Sequence, residues 1–147
     1  MGLTIADATA ADEAGWRALW AAYLGYYNVD LKEEITARTW ARIIDGGAAL
    51  TARLARIDGR MAGFALHHHH ASTWVAGDDC YLEDLFVDAG ARGQGIGRAL
   101  IDDLIAIARR RNWQRLYWLT DAANARARAL YDQYTASDGH IRYRITL

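Results

Sequence analysis

The chain has 147 residues, 52% apolar and 24% charged, the balance of one globular domain over residues 1–147 and not of a disordered segment. Seventeen basic and 18 acidic residues leave a net charge of -1, which argues against sequence-independent binding of DNA or RNA. One cysteine, Cys80, permits no intrachain disulfide, no apolar run approaches the ~20 residues of a membrane helix, and no signal-peptide pattern opens the chain, so the cytoplasm is the expected compartment.

Leu3 to Ala6 reads as a short strand, and Asp12 opens a helix. Trp16, Leu19, Trp20, Tyr23, Leu24 and Tyr27 then recur at helical spacing, an apolar stripe that ends at Asn28-Val29-Asp30. A second helix runs from Glu33 to Ile44 and stops at Gly46-Gly47. Ala48 to Ile57 alternates as a strand, Asp58-Gly59 is a hairpin turn, and Met61 to Ala71 returns, carrying His67 to His70. After a loop around Gly77-Asp78-Asp79, Cys80 to Val87 is a strong strand.

A glycine-rich turn, Gly90 to Gly97, leads into a helix marked by Ile96, Ala99, Leu100, Leu104, Ile107 and Ala108. Arg109-Arg110-Arg111 sits in its last turn, where cations suit the helix dipole. Leu116 to Leu119 is a short strand, Asn124 to Gln133 a helix, and Ile141 to Thr146 a final strand. The order is β-α-α-β-β-β-α-β-α-β. Three consecutive strands predict antiparallel meanders, and the β-α-β step after Val87 predicts one parallel pair. The fold class is α/β, a mixed and mostly antiparallel sheet flanked by helices.

The sharpest feature is Tyr81-Leu82-Glu83-Asp84-Leu85-Phe86-Val87 followed, after Asp88-Ala89-Gly90-Ala91, by Arg92-Gly93-Gln94-Gly95-Ile96-Gly97-Arg98. A strand feeds a glycine loop that opens a helix. Unpaired N–H groups of a first turn, the helix dipole and the missing Cβ atoms together make an anion site, to which Arg92 and Arg98 add charge. A P-loop would end in Gly-Lys-Ser/Thr, and Gly97-Arg98-Ala99 does not. A dinucleotide fingerprint needs Gly-x-Gly-x-x-Gly after the first strand of a parallel unit, and the glycines here fall at 93, 95 and 97.

Arg92 to Gly97 resembles the Arg/Gln-x-x-Gly-x-Gly/Ala acyl-CoA loop of the GNAT superfamily of N-acetyltransferases, and the element order resembles that fold over nearly the whole chain. Gly63-Phe64-Ala65, Trp74 and Tyr81-Leu82-Glu83-Asp84 resemble more narrowly the spermidine/spermine and diamine branch. The resemblance implies acetyl-CoA as co-substrate and a small primary amine as acceptor: a polyamine, a diamine or an amino acid. A protein or peptide acceptor, or acyl-CoA binding without catalysis, is the alternative on the same fold. The resemblance also implies a homodimer and neither a membrane nor a nucleic-acid partner.

It further implies roles. Backbone groups of Leu85, Phe86 and Val87 would pair with the pantetheine arm. The N–H groups of Gly93, Gln94, Gly95, Ile96, Gly97 and Arg98, with Arg92, would hold the pyrophosphate. Asn124 and Ala127 would contact the cofactor, Asn124 also being a plain helix cap. Tyr131, seven residues on and so on the same helix face, matches the tyrosine that protonates the departing thiolate. Glu83 matches a strand carboxylate near the acceptor amine, and Asp84 is its neighbour. Such strands often carry a bulge there, which defeats simple alternation.

Tyr26, Tyr27, Asp30 and Trp74 would form an aromatic and acidic cage for the amine, or else belong to the core. One face of the histidine strand carries His67 and His69, the other His68 and His70. His67 and His69 are assigned to the acceptor site. Pocket lining, acid–base work and a metal are all open for the histidines, although no third ligand at convincing spacing is visible. Cys80 reads as a buried strand residue, and no metal is expected. The chain departs from the pattern in lacking a proline after Asn124, a Gly-Phe pair after Tyr131 and a long tail.

Overall fold

The computed structural model describes residues 2–47 and 50–147. Five strands form one sheet in sequence order: β1 (Leu3–Asp7), β2 (Thr51–Ile57), β3 (Arg60–Ala71), β4 (Asp78–Val87) and β5 (Arg115–Trp118). The first three pairings are antiparallel and β4–β5 is parallel. The helices are α1 (Glu13–Tyr26), α2 (Glu33–Ile44), α3 (Ile96–Arg110) and α4 (Ala125–Tyr131). Helix α3 makes the crossover that a parallel neighbour requires.

The hairpin between β2 and β3 turns on Asp58 and Gly59, both at positive φ (49° and 82°), the two-residue turn whose twist suits a hairpin. The first part of the predicted strand from Ala48 lies at Ala48 and Ala49, outside the described residues. Thr9 and Asp12 form a capping box before α1.

The sheet separates two apolar layers. Trp16, Leu19 and Trp20 of α1 and Trp40 of α2 pack on Leu54, Phe64, Leu66 and Phe86. Ile96, Leu100, Ile101 and Leu104 of α3 pack on Ala55, Ile57, Ala65, Cys80 and Leu82 of the opposite face. The indole stripe predicted in α1 is therefore core: Trp16 stacks on Trp20 at 5.1 Å and meets Trp40 at 5.3 Å.

Two details shape the site. Leu82 opposes His67 and Asp84 opposes Leu66, so Glu83 is the extra residue of a β-bulge. The β4–β5 ladder ends at Leu82↔Trp118, while β4 runs on to Val87 and the chain leaves β5. The strands splay there, and among the described residues Glu83 to Val87 have no strand neighbour on that side.

The predicted last strand is not formed: residues 136–147 belong to no regular element, and Ile141, Tyr143 and Ile145 are exposed. Their alternation is that of a strand with one covered face. Among the described residues no strand offers them a partner, and an unpaired strand is not stable by itself.

Candidate active site

The glycine loop closes the splayed end of the sheet. A short 3-10 turn, Ala89–Ala91, leads to Arg92, after which Gly93 and Gly95 adopt φ of 80° and 78°. Side chains are strained there, and glycine is not. Gly95 caps α3 without any side-chain hydrogen bond, and its carbonyl accepts from Ala99 at 3.0 Å. The N–H groups of Ile96, Gly97 and Arg98 thus remain without intrahelical partners at the positive end of a 15-residue helix. A Cβ on Gly97 would lie 3.4 Å from a Leu130 methyl, so the start of α3 and the α4 segment meet closely. This donor set, with the unpaired side of Leu85–Val87, fits an extended phosphate-bearing ligand.

The loop arginines are held. Arg92 donates to the Val87 carbonyl at 3.2 Å and lies over the rings of Tyr26 and Phe86. Arg98 bonds Gln133 and lies over Tyr134. Asn124 caps α4 by accepting from the Ala127 N–H at 3.2 Å.

Between these elements lies a cleft of about 320 Å³. Its walls include Leu85, Phe86 and Val87, the loop from Arg92 to Arg98 except Gln94, and Asn124, Ala127 and Tyr131. A second recess of about 30 Å³ is lined by Glu83, Leu82, Trp118, Leu119 and Thr120. Tyr23, Tyr27, Leu85 and Tyr131 line both. Tyr131 therefore stands on the partition between cleft and recess, edge-on to Trp118 at 5.4 Å.

The partition is a low-dielectric place. Burial raises the Tyr131 phenol above its ordinary pKa, so it stays protonated at neutral pH. Asp84 is pushed up to about 6, by burial first and then by the Glu83 charge, against the hydrogen bond it accepts from Tyr23. Glu83 is exposed, with His68 Nε2 3.1 Å from its carboxylate.

Several predicted site residues lie elsewhere. His67 and His69 point to the opposite face of the sheet from Glu83 and line neither cavity. His67 is buried beside Cys80 Sγ (4.0 Å) and Trp113 (5.9 Å), and burial lowers its pKa to about 4. His69 stacks on Trp113 at 4.8 Å, with Nδ1 2.6 Å from Asp78. The bulge at Glu83 is the reason: it shifts parity on β4 but not on β3, so His68 and not His67 meets the carboxylate.

Trp74 is exposed in the β3–β4 loop, and Asp30 is exposed beyond α1; neither lines a cavity. Tyr26 lines the larger cleft only, and Asp84 faces Tyr23. Cys80 is buried, its thiol pushed up to about 12 by burial, and so is inert.

Tyr23 and Trp118 were not among the residues predicted from the sequence. In the sequence Tyr23 is one more member of the α1 stripe, and nothing in its spacing sets it apart.

Residues 14–135 match the acetyltransferase (GNAT) family. The chain belongs to the GNAT family. It is an acetyl-CoA-dependent N-acetyltransferase by that membership. This GNAT chain is 33% identical over 135 residues to a D-amino-acid N-acetyltransferase of Saccharomyces cerevisiae, covering 90% of this chain and 84% of that one. It is 35% identical over 89 residues to a thialysine N-epsilon-acetyltransferase of Caenorhabditis elegans, covering 57% of this chain and only 55% of that one. A ribosomal-protein-alanine N-acetyltransferase from Brucella melitensis biovar Abortus superposes with a TM-score of 0.80 at 25% identity, over 99% of this chain and 100% of that one.

Proposed function

We propose that this enzyme acetylates a primary amine of a small molecule by direct attack within a ternary complex. The observation that carries the reading is the partition: Tyr131 borders both the larger cleft and the recess that holds Glu83. Transfer needs a neutral amine, a polarised thioester carbonyl and a proton for the departing thiolate; Glu83 serves the first and Tyr131 the last.

In this reading the free N–H groups of Ile96, Gly97 and Arg98 hold the diphosphate of acetyl-CoA, and the unpaired side of Leu85–Val87 holds its pantetheine amides. The bound co-substrate supplies the activated acetyl group. Glu83, at the mouth of the recess, attracts an ammonium and takes its proton, directly or through one water; His68 is its hydrogen-bond partner. The amine nitrogen bonds to the acetyl carbon and the C–S bond breaks. Tyr131 gives its phenolic proton to the sulfur, and the proton that the nitrogen sheds as the amide forms restores the phenol. Even for an ordinary phenol, proton transfer to a thiolate is uphill by about 2 kcal/mol, and the burial of Tyr131 adds to that, a cost within a barrier that positioning lowers.

For the acceptor, a free amino acid is favoured, since the relative that matches over 90% of this chain acts by its name on D-amino acids. The Tyr81-Leu82-Glu83-Asp84 strand keeps di- and polyamines in the set.

The test is release of free CoA from acetyl-CoA with D- and L-amino acids, diamines, polyamines and alanine-terminated peptides. Turnover on a small amine with kcat/KM above that on peptides supports the proposal. Turnover on peptides alone overturns it.

A further inference from the structure

Glu83 is the extra residue of the β4 bulge. Tyr81, opposite His68, and Asp84, opposite Leu66, frame it, and it has no Cα partner of its own on β3. His68 Nε2 stands 3.1 Å from one oxygen of its carboxylate. A carboxylate can only accept, so Nε2 carries the hydrogen, in the neutral ring as in the imidazolium. Among the described residues the other carboxylate oxygen has no hydrogen-bond partner.

The two side chains differ in freedom. Glu83 has three rotatable side-chain bonds and is half exposed, so a carboxylate without a partner there would spread over several rotamers. The imidazole is fixed. It stands edge-on to Tyr81 at 5.3 Å and 86°. Tyr81 stacks on Tyr117 at 4.9 Å, and the Tyr117 hydroxyl is 2.7 Å from His70 Nε2. His68 is thus backed by a packed row of rings on three neighbouring strands, and its bond passes that order to a flexible side chain. His68 lines neither the cleft nor the recess, whereas Glu83 lines the recess. An acceptor in the recess therefore meets His68 only through Glu83.

We infer that His68 is the positioning residue of Glu83: its Nε2–H holds one carboxylate oxygen in place and leaves the other free for the ammonium of the acceptor. The inference rests on Glu83 as the proton acceptor of the reaction proposed above. A base ordered before the acceptor arrives removes from the barrier the entropy of fixing it.

Two substitutions separate this role from plain packing against Tyr81. His68→Phe keeps a ring beside Tyr81 and removes the N–H. His68→Gln removes the ring and keeps an amide N–H at similar reach. Both are measured with acetyl-CoA and the amine of the panel above that has the highest kcat/KM, beside Glu83→Gln and the double variant Glu83→Gln/His68→Phe. Far-UV circular dichroism confirms folding, and His68→Leu replaces His68→Phe if the larger ring does not fold. His68→Phe should lose about 5–20-fold in kcat/KM, His68→Gln should stay within about threefold of the native enzyme, and His68→Phe should cost less than about twofold once Glu83 is already Gln. Calorimetric binding of acetyl-CoA should change less than about twofold in both His68 variants, since His68 lies outside the cleft. A native rate in His68→Phe, a His68→Gln as impaired as His68→Phe, or equal losses with and without Glu83 overturns the positioning role. A native rate in Glu83→Gln is a separate result: it removes Glu83 as the base, and the role of His68 with it.

Discussion

The Tyr23 hydroxyl donates a 2.8 Å hydrogen bond to the Asp84 carboxylate, tying α1 to β4 one residue beyond the bulge at Glu83. The bulge sends adjacent carboxylates to different tasks. Asp84 is half-buried against α1, while Glu83 opens into the recess. Tyr23, fixed by this bond, is wall to both cavities.

Two buried groups make acid stability depend on opposed terms. His67 has its folded pKa lowered to about 4 by burial, below the 6.5 of a free imidazole. Between those values the unfolded chain binds the proton and the folded chain does not, so stability falls as pH drops from 6.5 to 4, by roughly 3 kcal/mol from this group. Asp84, raised to about 6 by burial, does the reverse: the folded chain binds its proton first, so stability rises as pH drops from 6 to 4. Urea unfolding of Asp84→Asn should show a variant more stable than the native protein at pH 7 and without that advantage at pH 4. His67→Leu should flatten the acid loss. A pH-independent difference in either case contradicts these assignments.

Gly63 is the tightest point between β3 and β4. A Cβ there would lie 2.7 Å from the Phe86 carbonyl oxygen, a backbone atom that cannot yield without moving the strand. Gly63→Ala should cost about 1–3 kcal/mol in urea titration. Because Phe86 belongs to the segment proposed for the pantetheine, acetyl-CoA binding by calorimetry should weaken as well. Native stability in the variant would show that the strands part freely.

Much of this was legible in the residues. The indole stripe of α1, the Asp58-Gly59 hairpin and the glycine loop are local, and local chemistry specifies them. The last strand was not legible, because a strand needs a neighbour and Ile141–Leu147 carries only the pattern of needing one. The histidine faces failed for a related reason. Alternation along β3 was sound, but which face meets Glu83 depends on a one-residue bulge in the partner strand, and no spacing within His67–His70 records it. Trp74 suggests a cage residue by kind alone, and it is exposed and lines neither cavity.

Glu83→Gln should lower kcat/KM at neutral pH by about 10–100-fold, since the amide cannot accept the ammonium proton. The deficit should shrink as pH approaches the acceptor's own pKa, where neutral amine is already abundant. A deficit constant across pH would reduce Glu83 to a binding role.

The most direct measurement is the turnover of Tyr131→Phe with acetyl-CoA and the best acceptor, beside calorimetric binding of acetyl-CoA to the same variant. The substitution removes one oxygen and keeps the ring on the partition and against Trp118. Loss of a general acid predicts a fall in kcat of about 10²–10⁴-fold with co-substrate affinity changed less than about threefold. Undiminished kcat would contradict Tyr131 as the proton donor.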